Sequence, residues 1–368
     1  MTEKPNGVVI IPSLEPDDRL VGVVDGLKEY FNDIIVVNDG SGEKYDAVFS
    51  RVKEILGDKL HYLVHEKNRG KGSALKTAFS YYKTSGLIEK YRGVITADGD
   101  GQHAVDDIIM LDHKLGENHN RALHIGARDL GSKVMPLRSK FGNKVNALLF
   151  RFLYGVKARD TQSGLRAMSN DLTDWLLQLK GERFEYEMYM LIETKNGRVN
   201  LYEHPIATRY ETEHKSHFRT FSDSYRVTKV LFSGIAKFIL AALVAGIFDI
   251  GLFYLIDYVI IGNSLPVSLS LLISTAVSRT ISSIANFIVN RFITFGGKRI
   301  SGASIIRYYT LWLAQMSASY GLVLAFTSLF GGGEIFIKLV VDLILSLVSY
   351  RIQLVWVFRG KNEKTEEK

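Results

Sequence analysis

Two aspartates stand two residues apart in "VITADGDGQH", with Gly99 between Asp98 and Asp100 and the Gln102 amide just beyond. An apolar run precedes them, so the carboxylates fall where a buried strand should end and the chain should turn. A turning backbone brings both groups near one point. Hard divalent cations such as Mg2+ or Mn2+ take oxygen ligands and commonly keep water and substrate phosphates in their shell. An ordinary acidic turn has the same composition. The pair alone does not separate the two readings.

The flanking elements give the pair a setting. Gly7–Ser13, "GVVIIPS", reads as a buried strand, and Asp18–Phe31 as a helix. Asp33–Ser41, "DIIVVNDGS", is a second strand that closes on Asp39, Gly40 and Ser41. "KLHYLVHE" is a third strand, "GKGSALKTAFSYYKTSG" a helix after a glycine-rich turn, and "YRGVITADGD" a fourth strand. This alternation predicts an α/β domain, Rossmann-like, with a mostly parallel sheet and helices on both faces. Ligands of such sheets bind at the carboxyl ends of the strands, which is where both polar sets fall.

The chain has 368 residues, 46% hydrophobic and 23% charged. The average conceals a split, since long apolar runs dominate from Val230 onward. A bilayer core requires about 20 apolar residues per helix. Four stretches qualify: Ile235–Ile261, Val267–Phe295, Tyr309–Phe330 and Ile335–Phe358. They predict an all-α membrane domain with four transmembrane helices. The basic loops "GGKRISGASIIR" and "RGKNEKTEEK" contrast with "GNSLP" and "GGGE", which hold no Lys or Arg. Positive loops face the cytoplasm, so the soluble half and both termini are expected there, in a multi-pass protein of the cell membrane. "MTEKPNGVVIIPS" contains no signal-peptide apolar core, which agrees.

The net charge of +7 suits an anionic partner, and the membrane surface is the evident one. No helix-turn-helix, zinc-finger or RRM signature supports nucleic acid. With no cysteine, disulfide and thiolate chemistry are excluded. "SIANFIVNRFITF" and "SLVSYRIQLVWVF" form a weak internal repeat. Asn286, Asn290, Arg291, Arg351 and Gln353 lie near helix ends and suit snorkelling, whereas Asp249, Asp257, Arg279 and Asp342 lie deeper. Phe141–Val156 places Val145, Leu148, Leu149, Phe152 and Leu153 at helical spacing, fitting either an interfacial helix or a core-packed one. The expected domains are residues 1–213, an interfacial segment 214–232, a membrane domain 233–359 and a charged tail 360–368.

"VVIIPSLEPDD", "IIVVNDGS", "HEKNRGKGSALKTAF", "ITADGDGQH", "GARD" and "DTQSGLRAM" resemble, in order, the blocks of family 2 glycosyltransferases with the GT-A fold. Within that family they look most like polyprenyl-phosphate glycosyltransferases of the dolichol-phosphate mannose synthase group. The paired "NFIVNRFITF" and "SYRIQLVWVF" endings resemble the GtrA-like four-span domains. The resemblance implies nucleotide-binding positions at Pro12, Leu14, Glu15, Asp39, Lys71, Asp98 and Gly99. It implies metal positions at Asp98, Asp100 and Gln102, for Mg2+ or Mn2+. Catalytic positions fall at Asp100, Arg128, Arg138, Asp160 and Arg166, and acceptor-phosphate positions at Lys133, Arg138, Ser139, His217 and Arg219. His103 and His124 read as structural.

Two positions depart from the family pattern. Pro16 stands where a glutamate is usual, leaving Glu15 or Asp17 as its replacement, and Asn38 replaces the first aspartate of "DDGS". The implied reaction is an inverting hexose transfer from a nucleotide sugar, UDP-hexose favoured, to a polyprenyl phosphate. GDP-mannose is the alternative donor. A flippase for the lipid-linked sugar is the alternative of another class, and homo-oligomerisation through the spans stays open. A processive synthase is disfavoured, because no "QxxRW"-type block precedes the membrane half.

Overall fold

A computed structural model of the protein describes residues 4–128, 137–207, 220–262, 264–296, 299–330 and 334–358; side chains of 137–144, 220–224, 227 and 334 lie outside the description. The chain divides into two compact units, Met1–Leu231 and Phe232–Lys368.

The first unit is built on one seven-stranded sheet. Its strands are β1 (Gly7–Ser13), β2 (Ile34–Asn38), β3 (Leu60–Val64), β4 (Gly93–Thr96), β5 (Ala122–Arg128), β6 (Arg166–Ser169) and β7 (Asn200–Ile206), in the order β3-β2-β1-β4-β6-β5-β7. β1 pairs in parallel with β2 and β4, as does β2 with β3 and β5 with β7. Val8, Val9, Ile10 and Ile11 are fully buried, which explains why β1 is continuously apolar rather than alternating. The helices Asp18–Leu27, Asp46–Leu56 and Val105–Glu117 send Leu20, Val24, Phe49, Val52, Ile108 and Leu111 into the core.

β6 runs antiparallel to both neighbours, with Arg166 opposite Thr96. The reversal has a consequence for the site. The amino end of β6 lies beside the carboxyl end of β4, so the preceding "DTQSG" turn meets the segment that carries Asp98. Thr96 Oγ1 ties the two together by donating to the Gly164 carbonyl at 2.9 Å.

The expected interfacial stretch lies on a helix that spans Leu137–Leu153. Phe150 and Leu153 are buried, but Val145 is exposed and Leu148 is 67% exposed, so this one helix has both a core face and an open apolar face. Tyr154 follows it and donates to the carbonyls of Val230 and Leu231 at 3.0 and 2.8 Å.

The second unit is helical. Among the described residues three helices are long and apolar enough to cross a membrane, Thr228–Ile261, Val267–Thr294 and Gly302–Phe330. Three of the four expected spans thus coincide with these helices. The fourth expected span falls on the helix Glu334–Ile352 and its π-helical end Gln353–Val357. The internal repeat has a structural counterpart, since Asn290–Thr294 and Gln353–Val357 are both π-helical endings. Phe295 N–H donates to the Asn290 carbonyl at 2.9 Å, and Phe358 N–H to that of Gln353 at 3.0 Å. The deep charges find partners within the unit. Asp249 accepts from Ser282 and pairs with Arg279, Asp257 accepts from Ser270 and Ser274, and Asp342 accepts from Ser319 and Lys338.

Candidate active site

Parallel pairing sets the ends of β1, β2 and β4 along one edge, with Ser13 opposite Asn38. Asp98 lies two residues past the end of β4 and is 31% exposed on its side chain. Its Oδ1 stands 2.7 Å from Lys71 Nζ, and its Oδ2 3.4 Å from His103 Nε2. Lys71 Nζ also lies 2.9 Å from Glu187 Oε1. Burial alone would raise the Asp98 carboxyl, but Lys71 and His103 beside it hold it well below the usual carboxylate range. Burial likewise opposes the Lys71 ammonium, yet Asp98 and Glu187 keep it protonated.

Asp100 is half-buried on the turn that follows, and its Oδ1 accepts the Gln102 N–H at 3.1 Å. Gly99 packs on Leu20 and Ser13. Among the described residues no group of three His, Asp or Glu side chains is clustered to hold a metal by protein ligands alone. A cation that takes most of its shell from a diphosphate and water needs only one or two carboxylates. The Asp98 and Asp100 carboxylates fit that need in number and type, and both oxygens of Asp98 face cationic or imidazole nitrogen in this structure.

Asp39 is buried, and its carboxylate fastens the next loop. Oδ1 accepts from Arg69 N–H at 2.9 Å and Oδ2 from Gly70 N–H at 2.8 Å. His65 Nδ1 lies 2.7 Å from Oδ1 and its Nε2 2.9 Å from Thr77 Oγ1. In this structure Asp39 thus positions the loop that delivers Lys71. Asn38 occupies its place in the family pattern by accepting from Ser41 N–H at 2.8 Å and donating to Tyr62 at 3.1 Å. Pro12 and Leu14 are half-buried near the same edge. Asp17 caps the helix Asp18–Leu27 and pairs with Arg19 at 2.6 Å. Glu15 is exposed, with its backbone in the left-handed region at φ +46° and its N–H bonded to Ser41 Oγ at 2.8 Å.

Arg128 ends β5 and meets Asp160 through a two-bond fork, 2.6 Å at Nε and 3.0 Å at Nη2. Asp160 is fully buried and also accepts from Gln162 N–H at 3.0 Å. Arg166 is fully buried too. Its Nε donates to the Ser163 carbonyl at 3.0 Å and its Nη1 to that of Glu187 at 2.8 Å. Burial lowers its pKa against the opposing pull of Glu187, Asp160 and Asp98. Arg166 thus braces the Ser163 and Glu187 backbones from inside the unit, with its Nη2 buried and without a hydrogen-bond partner among the described residues.

The structure gathers Lys71, Asp98 and Glu187 into one contact and places Asp100 beside them in the chain, with Arg128 paired to Asp160. All of Lys133, His217 and Arg219, and the side chains of Arg138 and Ser139 on the helix Leu137–Leu153, lie outside the described residues. Sequence reasoning missed Glu187 and Gly164. The signal for Glu187 was a carboxylate set among Tyr186, Met188 and Met190, all buried. His124 is buried against His204, Nδ1 to Nε2 at 3.0 Å, in a structural pair away from Asp98.

Residues 8–173 match the family model described as glycosyl transferase family 2, and residues 237–358 match the GtrA/DPMS transmembrane domain. The chain is 31% identical to the UDP-N-acetylglucosamine–dolichyl-phosphate N-acetylglucosaminyltransferase of Methanococcus voltae over 222 residues, covering 55% of this chain and 85% of that protein. It is 26% identical to human dolichyl-phosphate beta-glucosyltransferase, with 50% and 61% covered. It is 27% identical to the polyprenol monophosphomannose synthase of Mycolicibacterium smegmatis, with 45% and 63% covered.

Proposed function

The chain belongs to glycosyl transferase family 2, and from that premise we propose that it transfers a hexose from a nucleotide sugar to a polyprenyl phosphate at a membrane. The observation that carries the reading is the Lys71–Asp98 pair at the carboxyl edge of the sheet, with Asp100 beside it. Relatives named for dolichyl-phosphate or polyprenol acceptors support the lipid phosphate as partner.

The chemistry follows from the acceptor. A phosphate monoester is anionic at neutral pH, so no general base is required to make the nucleophile. Its oxygen attacks the anomeric carbon while the bond from that carbon to the donor diphosphate breaks, and the electron pair leaves with the diphosphate. One in-line displacement inverts the centre, so an α-linked donor gives a β-linked lipid product. Two anions must be brought together, and guanidinium forks suit that task. Arg128 has its fork oriented by Asp160, and Arg138, Ser139, Lys133, His217 and Arg219 are proposed to meet the acceptor phosphate.

Asp100, helped by Asp98 and Gln102, would hold Mg2+ or Mn2+, which when bound supplies charge neutralisation at the departing diphosphate. Lys71 holds Asp98 in place, and the nucleoside end is assigned to Pro12, Leu14, Glu15 and Asp39. The catalytic unit is placed on the cytoplasmic face, and the helix Glu334–Ile352 is proposed as a fourth span.

UDP-hexose is the favoured donor, in line with the Methanococcus relative's name. GDP-mannose is the second reading, favoured by the mannose synthase match. The GtrA/DPMS match also keeps flipping of the lipid-linked sugar as a separate activity of the second unit. The test is a screen of UDP-N-acetylglucosamine, UDP-glucose, UDP-galactose and GDP-mannose with polyprenyl phosphate and Mn2+, read by mass of the lipid. One donor should yield a glycolipid that disappears with Asp100→Ala. Failure of all four overturns the reading.

A further inference from the structure

Lys71 sits between two glycines because of what lies against it. Gly70 is at φ +99°, and a Cβ there would stand 2.6 Å from the Glu182 carbonyl oxygen. A Cβ on Gly72 would stand 2.6 Å from Tyr186 Cβ. Ser73 N–H donates to the Glu182 carbonyl at 2.8 Å. The turn that carries Lys71 thus nests on the backbone of residues 182–186, the segment that leads directly into Glu187. Arg166 pins the Glu187 carbonyl from behind at 2.8 Å.

The two carboxylates that hold Lys71 differ in access. Asp98 is 31% exposed on its side chain, whereas Glu187 is 9% exposed and Lys71 12%. A ligand arriving at the sheet edge reaches Asp98 and must share its oxygens. Lys71 would then lose part of its attraction while still buried, and a buried charge without a partner is costly. Glu187 stays behind as its second anchor.

We infer that Glu187 is a positioning residue, the fixed anchor that keeps the Lys71 ammonium beside Asp98 while a nucleotide-sugar donor occupies the site. The inference rests on the glycosyltransferase reading. It differs from a general stabilising role because the effect must pass through Lys71. It must also fall on the donor rather than on the lipid.

The test uses the full chain in lipid nanodiscs with the donor that the screen selects. Glu187→Gln removes the charge and keeps the shape. It should raise the donor KM by about tenfold, as expected for loss of a charge-assisted bond. The KM for polyprenyl phosphate should stay within about twofold, inside the error of such comparisons. Glu187→Asp should recover part of the loss. In a Lys71→Ala background, Glu187→Gln should add less than about twofold, because the two residues act as one unit. An unchanged donor KM, an equal rise in both KM values, or the same penalty with and without Lys71 each overturn the inference. Those results need an active wild type, so they leave the glycosyltransferase reading standing. A wild type that turns over no nucleotide sugar removes that reading and the inference together.

Discussion

Gly164 lies so close to the Asp98 carboxylate that a Cβ on it would stand 2.5 Å from Oδ2 and 2.7 Å from Lys71 Nζ. The "DTQSG" turn is thus pressed directly onto the Lys71–Asp98 pair. Gly164→Ala must push that pair apart or shift the turn, and overpacking of this kind costs about 1–3 kcal/mol. The expected outcome is a drop in kcat/KM of about tenfold or more in an otherwise folded protein. Gly42→Ala is the control, since nothing lies within 4 Å of a Cβ there. Steady-state kinetics of both variants provide the check.

The Arg128–Asp160 fork gives a second prediction. Asp160 is fully buried, so Asp160→Asn leaves Arg128 with a neutral partner and should cost about 3 kcal/mol of stability. Arg128→Lys keeps the charge but loses the fork and should lower kcat by about 100-fold if the guanidinium meets a phosphate. Urea denaturation separates the first effect, and turnover the second. A lysine variant with wild-type turnover would remove Arg128 from the chemistry.

Asp39 should matter through the loop it fastens. Asp39→Asn turns one acceptor into a donor facing the Arg69 or Gly70 N–H. The loop should loosen at a cost of about 1–3 kcal/mol. Hydrogen exchange should accelerate first at Arg69 and Gly70, before the sheet is affected. Unchanged protection there would show that the two hydrogen bonds do not hold the loop.

The His124–His204 pair predicts a pH dependence of stability. Burial lowers His124 below its ordinary 6.5, with Lys114 adding to the effect and the Asn118 carbonyl and Glu117 opposing it. Burial also lowers His204, followed by His124 and Lys114 and opposed by Glu117. The unfolded chain therefore binds more protons than the folded one as pH falls through 6.5, and stability falls with it. The melting midpoint should drop between about pH 7.5 and about pH 5.5. The slope should be shallower in His204→Gln. A midpoint that rises on acidification would contradict this.

Much of this was legible in the sequence because apolar runs and turn residues are local signals. β1 falls on Gly7–Ser13 as expected, and the polar sets at Asp39 and Asp98 do lie at strand ends. The reversed strand β6 was not legible. Nothing local in "LRAMS" states which way it runs, and that direction brings Gly164 onto Asp98. The burial of Arg166 was not legible either, because a motif states residue types and not how deep their side chains lie. Glu187 is distant in sequence from "GKG", so only the packing of residues 182–186 on the two glycines reveals their connection. In the membrane half, length and apolarity are local signals too, and three of the four expected spans coincide with helices long and apolar enough to cross a membrane.

In the proposed reaction a lipid phosphate oxygen, already anionic, attacks the donor sugar without a general base. The most direct measurement offers the purified full chain polyprenyl phosphate or the matching polyprenol, with the donor chosen by the screen, and determines the anomeric configuration of any product by NMR. The expected outcome is a β-linked sugar phosphate lipid from the phosphate and no product from the alcohol. Comparable transfer to the alcohol, or an α-linked phosphate product, would contradict it.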